Sequence, residues 1–180
     1  MTIIETDFEG LYLVEPTIFK DSRGYFFESY NKRMHEEAGL QQTFVQDNQS
    51  KSSYGVIRGL HLQSEPHAQT KLVRVLEGAI YDVAVDLRKG SLTFGKWFGV
   101  EINEENNLQL LIPKGFGHGF SVLSETATVF YKCDELYHPE LEIGVKFDDP
   151  ELAIDWKIPA EKMSVSDKDK ILPSFRSYLG

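Results

Sequence analysis

Apolar and polar residues alternate one by one through the most regular part of the chain. Residues 71–88 read KLVRVLEGAIYDVAVDLR, with Tyr81, Val83, Val85 and Leu87 interleaved with Asp82, Ala84, Asp86 and Arg88. A period of two predicts strand, because successive side chains of an extended backbone point to opposite faces. The Glu77-Gly78 step interrupts the run, and glycine accepts the positive φ that a hairpin or bulge needs, so two strands are predicted there. Shorter apolar runs recur at 11–19, 97–102, 108–112, 120–123 and 127–133, set apart by Gly, Pro, Asn and Ser. Many short strands at close spacing predict an all-β barrel or jelly roll. The one clear helical stretch is 32–38, with Asn31 as its N-cap, Met34 and Ala38 on one face and Gly39 as its stop. Residues 158–180 are polar and mixed, and read as a short helical or irregular tail packed across the barrel.

Composition narrows the class. A chain of 180 residues suits one domain, 1–180, and can bury about 70% of its unfolded surface. Nineteen Lys and Arg against 28 Asp and Glu leave a net charge of -9, which argues against nucleic-acid binding through a broad basic face. An anionic ligand would then need a local basic site. Cys133 is the single cysteine, so no internal disulfide is expected and a reducing compartment, the cytoplasm, is the expected location. The first residues, MTIIETDFEG, are acidic where a signal peptide would be basic, and no apolar run approaches the roughly 18 residues of a membrane span.

Two of the five histidines are hemmed by glycines: His61 in GVIRGLHLQ and His118 in PKGFGHGF. Such glycines allow tight turns or close approach to a ligand, so both segments read as pocket lining more than as ordinary strand. A metal-binding barrel would want a His-x-His pair with a following carboxylate, but Gln63 stands two after His61, and no catalytic metal is predicted. Without metal, a histidine serves as a general base once a carboxylate holds its tautomer. Asp167 and Asp169 in VSDKDK are candidates, although the same stretch also reads as a solvated loop and spacing does not pair either with His61. Tyr131 shares its face of the 127–133 run with Ala127, Val129 and Cys133, which points its hydroxyl inward. From the residues alone the plainer reading is a core tyrosine bonded to backbone. Tyr137 has the same parity. Arg23, Arg58 and Lys71 would form a diphosphate site if they converged, and there is no glycine-rich phosphate loop.

The blocks DSRGYFFES, VQDNQSKSSYGVIRGLHLQ, KLVRVLEGAIYDVAVDLR, PKGFGHGF, YKCDELYHPELEIG and VSDKD, in this order, closely resemble the dTDP-4-dehydrorhamnose 3,5-epimerases. The resemblance implies a cupin-like antiparallel jelly-roll barrel with a few short helices, usually dimeric, that acts on dTDP-4-dehydro-6-deoxy-D-glucose without cofactor or metal. By resemblance His61 is the base, Asp169 its orienting partner, Tyr131 the acid on the opposite face and Lys71 the enolate stabiliser. Arg23, Glu28, Gln46, Asp47, Asn48 and Arg58 would contact nucleotide and diphosphate, with Phe26 beside Arg23 and Glu28. His118, Glu142 and Lys168 map onto further substrate positions, and Tyr137 onto the aromatic that stacks on thymine. The segment around Arg23 would reach into a neighbouring subunit's site, making a homodimer functional.

Gly117, where alanine is more usual, and Lys146-Phe147 depart from the family pattern and bear on pocket shape. Family members that invert C3 alone or C5 alone carry the same chemistry. Readings from other classes are a metal-dependent cupin enzyme and a non-catalytic nucleotide-sugar-binding barrel.

Overall fold

The computed structural model describes residues 1–179. Along the chain run β1 (Thr2–Glu5), β2 (Tyr12–Glu15), β3 (Phe19–Asp21), β4 (Gly24–Phe26), α1 (Lys32–Glu37), β5 (Gln46–Ser53), β6 (Val56–Gln63) and β7 (Lys71–Glu77). They are followed by β8 (Ala79–Asp86), β9 (Trp97–Asn103), β10 (Gln109–Ile112), β11 (Phe116–Val122), β12 (Thr126–Cys133), β13 (Glu142–Gly144), β14 (Ser164–Val165) and α2 (Asp167–Lys170). Gly78 does break the long alternating run, at φ 80°. The apolar run at 11–19 is split, since only Tyr12–Glu15 pairs in the main sheet and Phe19 opens a separate hairpin.

Two sheets face each other, one in the order β1-β2-β10-β7-β12-β5 and the other β13-β6-β11-β8-β9, while β3 and β4 pair only with each other. Every pairing is antiparallel except the short β14, which lies parallel to β6. This is the cupin-like jelly roll. Between the sheets pack Val73, Val75, Ile80, Ile102, Leu110, Phe116, Val122 and Val129 with Phe8 and Leu11. Full burial of such side chains contributes about 1.5–3 kcal/mol each before entropy is counted.

Both sheets are also covered on part of their outer faces. Val83, Val85 and Leu87 of the alternating run pack outward against Leu152, Trp156 and Phe175 of the C-terminal segment. Their polar neighbours Asp82 and Asp86 point inward and are fully buried. The alternation therefore separates two buried faces, one apolar under the tail and one carrying buried acids. The tail is more ordered than an irregular strap: Ser164 and Val165 extend the sheet beside Val56 and Ile57, and Asp167–Lys170 forms one helical turn.

Helix α1 begins as the sequence predicts, with the Asn31 side chain accepting from the Met34 N–H. Its buried residue is His35, whose ring meets Tyr30 edge-on, whereas Ala38 is exposed. The helix is too short for an apolar stripe to set its orientation, and one aromatic anchor does so instead.

Candidate active site

The glycines beside the two histidines are explained by strand proximity. Gly59 has φ 116°, and a Cβ there would lie 2.6 Å from Gly119 Cα; a Cβ on Gly119 would lie 2.6 Å from the Arg58 carbonyl oxygen. Strands β6 and β11 thus approach more closely than side chains permit, with an irregularity between His118 and Phe120. Both histidine segments are strand, and both histidines also line the cleft, as the flanking glycines suggest; His61 and His118 are register partners.

A cleft opens between the sheets at this point. One part, about 260 Å³, is lined by Gln46, Asn48, Gln63, Gln69, Tyr137 and Glu142 as well as His61, Lys71 and Tyr131. A second part, about 470 Å³, shares those last three residues and adds Arg58, His118, Lys168 and Asp169. His61, Lys71 and Tyr131 therefore sit where the two lobes meet.

His61 Nε2 is 2.7 Å from Asp169 Oδ1, with the histidine side chain 29% exposed and the aspartate 5%. Asp169 is delivered by α2, where the Ser166 hydroxyl accepts from the Asp169 N–H, and its other oxygen accepts from the Gly59 N–H at 3.2 Å. Burial works to raise the Asp169 pKa. The His61 hydrogen bond and charge, with the Gly59 and Ser166 bonds, outweigh it and hold the carboxyl below its ordinary range. An ionised Asp169 fixes the proton on Nε2 and leaves Nδ1 as the basic nitrogen. Asp167, the other candidate, is fully exposed.

Burial lowers the pKa of Lys71, against the opposing influence of Cys133, Glu142 and Asp82. Its ammonium lies 5.9 Å from the centre of the Tyr131 ring. Tyr131 has the inward orientation that its strand parity predicts, and burial pushes its phenol above the ordinary value, so it is protonated at neutral pH. Desolvation also lifts the neighbouring Cys133 thiol to about 11, which keeps it neutral.

Around this centre, Lys168 Nζ is 2.6 Å from Glu142 Oε1, and the Tyr137 hydroxyl donates to the same carboxylate. The Tyr137 N–H donates to Gln46 Oε1, and Gln46 in turn donates to Asn48. Arg58 donates to Ser52 and lines the second lobe. Tyr137 reaches the cleft through the loop after β12, so strand parity is not what places it. His118 pairs with the fully buried Asp82 at 2.7 Å.

Other expected residues are not brought to this cleft. Asp47 alternates to the outside of β5 and pairs with Lys132 at 2.8 Å. Arg23 and Phe26 lie on the β3–β4 hairpin, where Arg23 is paired with Asp21 and Phe26 is 65% exposed. Glu28 accepts from Asn31 beside a separate small cavity.

Sequence reasoning overlooked Ser50, Gln63, Gln69 and Asp82. Ser50 shares the parity of Gln46 and Asn48, and Gln63 that of His61, so period two could have found those two. Gly117 would place a Cβ against Leu87 and Leu60, and Phe147 packs under the tail, so these departures from the family pattern lie outside the cleft lining.

A jelly roll whose cleft joins a histidine–aspartate pair, a protonated phenol and a desolvated lysine defines a cupin-type enzyme equipped for proton transfer. The family model described as dTDP-4-dehydrorhamnose 3,5-epimerase matches residues 5–177. The chain is 49% identical over 168 residues to the dTDP-4-dehydrorhamnose 3,5-epimerase of Methanothermobacter thermautotrophicus, covering 93% of this chain and 90% of that one. Its fold superposes on the crystal structure of dTDP-4-dehydrorhamnose 3,5-epimerase from Elizabethkingia anophelis with TM-score 0.94 and 56% identity, covering 98% and 97% of the two chains. The dTDP-6-deoxy-D-glucose-3,5-epimerase of Legionella pneumophila, solved in complex with dTDP-4-keto-L-rhamnose, gives TM-score 0.93 at 49% identity, covering 97% and 93%. The chain belongs to the dTDP-4-dehydrorhamnose 3,5-epimerase family. No helix among the described residues is long and apolar enough to cross a membrane.

Proposed function

We propose that this chain inverts C3 and C5 of dTDP-4-dehydro-6-deoxy-D-glucose to give dTDP-4-dehydro-L-rhamnose. The observation that carries this reading is the His61–Asp169 pair meeting Lys71 and Tyr131 in one cleft.

The C4 ketone acidifies the hydrogens on both neighbouring carbons, so one base serves both centres. His61 Nδ1 removes the proton, and the electron pair of the broken C–H bond moves into the carbonyl to give an enolate. The Lys71 ammonium stabilises the developing oxyanion in a site where charge is poorly screened. Tyr131 returns a proton to the opposite face of the ring carbon. His61 then releases its proton to solvent, and the Tyr131 phenolate takes one up. The raised Tyr131 pKa supports the acid role, and the ionised Asp169 supports the base.

Tyr137 stacks on thymine, Gln46 and Asn48 hold the nucleotide, and Arg58, His118, Glu142 and Lys168 engage the diphosphate and sugar. Arg23, Phe26 and Glu28 complete the site of a second copy in a homodimer. The projecting hairpin, with Phe19 61%, Tyr25 57% and Phe26 65% exposed, supports that role because such apolar area calls for a partner. The enzyme works in the cytoplasm, and its proton transfers use neither a metal nor an organic cofactor.

The test is NMR in D₂O with EDTA-treated protein and the 4-ketosugar. Deuterium and inversion at both C3 and C5 are expected. Labelling and inversion at one centre would make this a single-centre epimerase, binding without exchange a nucleotide-sugar-binding barrel, and activity restored only by added metal a metal-dependent cupin.

A further inference from the structure

Outside the cleft lining, three metal-ligating side chains converge. His67 lies in the loop between β6 and β7, and Glu135 and His138 in the segment after β12. One ligand atom from each lies within 4.8 Å of the others, the one such set of three among the described residues. All three are about one-third exposed, at 38%, 33% and 31% of their side chains. The His67 and His138 rings stack 3.9 Å apart at 16°.

Two details set this cluster apart from an ordinary surface group. His67 Nδ1 is buried and has no hydrogen-bond partner, yet it faces Glu135 Oε2 at 3.5 Å. A buried ring nitrogen without a partner is costly unless something else occupies it. His138 Nδ1 meets Glu140 Oε1 at 3.2 Å. A carboxylate on one imidazole nitrogen fixes the tautomer and turns the lone pair of the other outward, which is how outer carboxylates orient metal-bound histidines.

We propose that His67, Glu135 and His138 form a binding site for a divalent transition ion of the zinc class, with Glu140 as the outer carboxylate on His138. Two imidazoles and a carboxylate are a favourable donor set for Zn²⁺, and water fills the fourth position. Tetrahedral zinc with bonds of about 2.0–2.2 Å needs its ligands about 3.3 Å apart. The side chains must therefore close by up to about 1.5 Å for that geometry to form. Stacked rings do not aim lone pairs at one point, so capture turns one imidazole out of the stack.

The position gives the ion a consequence. Gln63, which lines the cleft, donates to the His67 and Leu136 carbonyls and accepts from the His138 N–H. Gln69, also in the lining, donates to the Glu135 carbonyl, and Tyr137 directly precedes His138. The ion joins the same two segments that these glutamines already tie, and it braces the wall that carries Tyr137.

The test is titration of the EDTA-treated full chain with ZnCl₂ by calorimetry, with imidazole ¹H–¹⁵N spectra of all five histidines. One equivalent per chain is expected, with the His67 and His138 resonances shifting. Those of His61 and His118 should stay in place. His138→Asn and Glu135→Gln should weaken binding about 100-fold or more, and Glu140→Gln about 10- to 100-fold, the range for loss of an outer-sphere partner. Zinc should raise the unfolding midpoint of wild type but not of His138→Asn. Equal affinity in wild type and His138→Asn, shifts confined to His61 or His118, or the absence of saturable zinc binding in the micromolar range would each overturn the site.

Discussion

Two histidine–carboxylate pairs stand side by side on β6 and β11, with the same 2.7 Å separation and opposite settings. His61 is 29% exposed toward the cleft, and its partner arrives from the far C-terminal turn with a Gly59 N–H on its second oxygen. His118 is 8% exposed and its partner Asp82 is at 0%, on the adjacent β8 of the same sheet, with Oδ2 lacking a hydrogen-bond partner. The difference teaches that a short His–Asp bond does not by itself mark a base. A base needs one nitrogen held and the other free to meet substrate, and the accessible His61 meets that condition better. In the sealed pair, the histidine satisfies a buried acid and lines the cleft with its ring held in a fixed orientation.

The largest expected effect breaks the comparison outright if it fails. His61→Ala should lower kcat by about 10²- to 10⁴-fold, the usual contribution of a positioned acid–base group, while the protein stays folded. Steady-state turnover with circular dichroism checks both halves. Near-wild-type turnover would remove His61 from the chemistry and reopen the assignment of the two pairs.

His118→Ala should show the reverse emphasis, with a loss in stability of about 3 kcal/mol because Asp82 is left buried without its partner. For a chain of this size that corresponds to a fall in Tm of about 6–12 °C. His61→Ala should cost less stability, since Asp169 keeps the Gly59 N–H and borders an open cleft. Equal losses in the two variants would show that burial does not distinguish the pairs.

The same contrast explains what could be read from the chain in advance. Strand parity places Tyr131 inward, and an Asn-led cap starts α1, because both depend on residues next to one another in sequence. The assignment of Asp169 to His61 came from family resemblance, since their 108-residue separation is closed only by the tail packing along β6. Parity also says nothing of which face meets solvent when a sheet is covered on both sides. That is why Asp82 and Asp86 look like solvated positions and are among the most buried. The His67–Glu135–His138 cluster was invisible for a related reason: two loops far apart in sequence meet only once β6, β7 and β12 are assembled.

Asp86, on β8 like Asp82, adds a third buried carboxylate to the comparison, and it sharpens it because it has a cation and hydroxyls in place of histidine. Arg88 meets both its oxygens at 3.0 and 2.8 Å, and Ser91 and Thr93 each donate at 2.6 Å. Burial alone would raise its pKa, but these bonds outweigh it and bring the carboxyl from 3.8 down to about 2. A carboxyl depressed in the folded state stabilises the fold fully above its unfolded pKa and loses that contribution as pH falls through the folded value. The shift corresponds to about 2 kcal/mol, present above about pH 4 and lost as pH falls toward 2. Asp86→Asn should therefore be less stable than wild type by about 2 kcal/mol at about pH 6, with the gap narrowing in acid and turnover at neutral pH unchanged. Urea unfolding across this range reads the difference directly. A gap that persists undiminished at pH 2 would mean that Asp86 acts through packing and neutral hydrogen bonds, and that its charge, unlike that of Asp169, has no part in holding the structure around it.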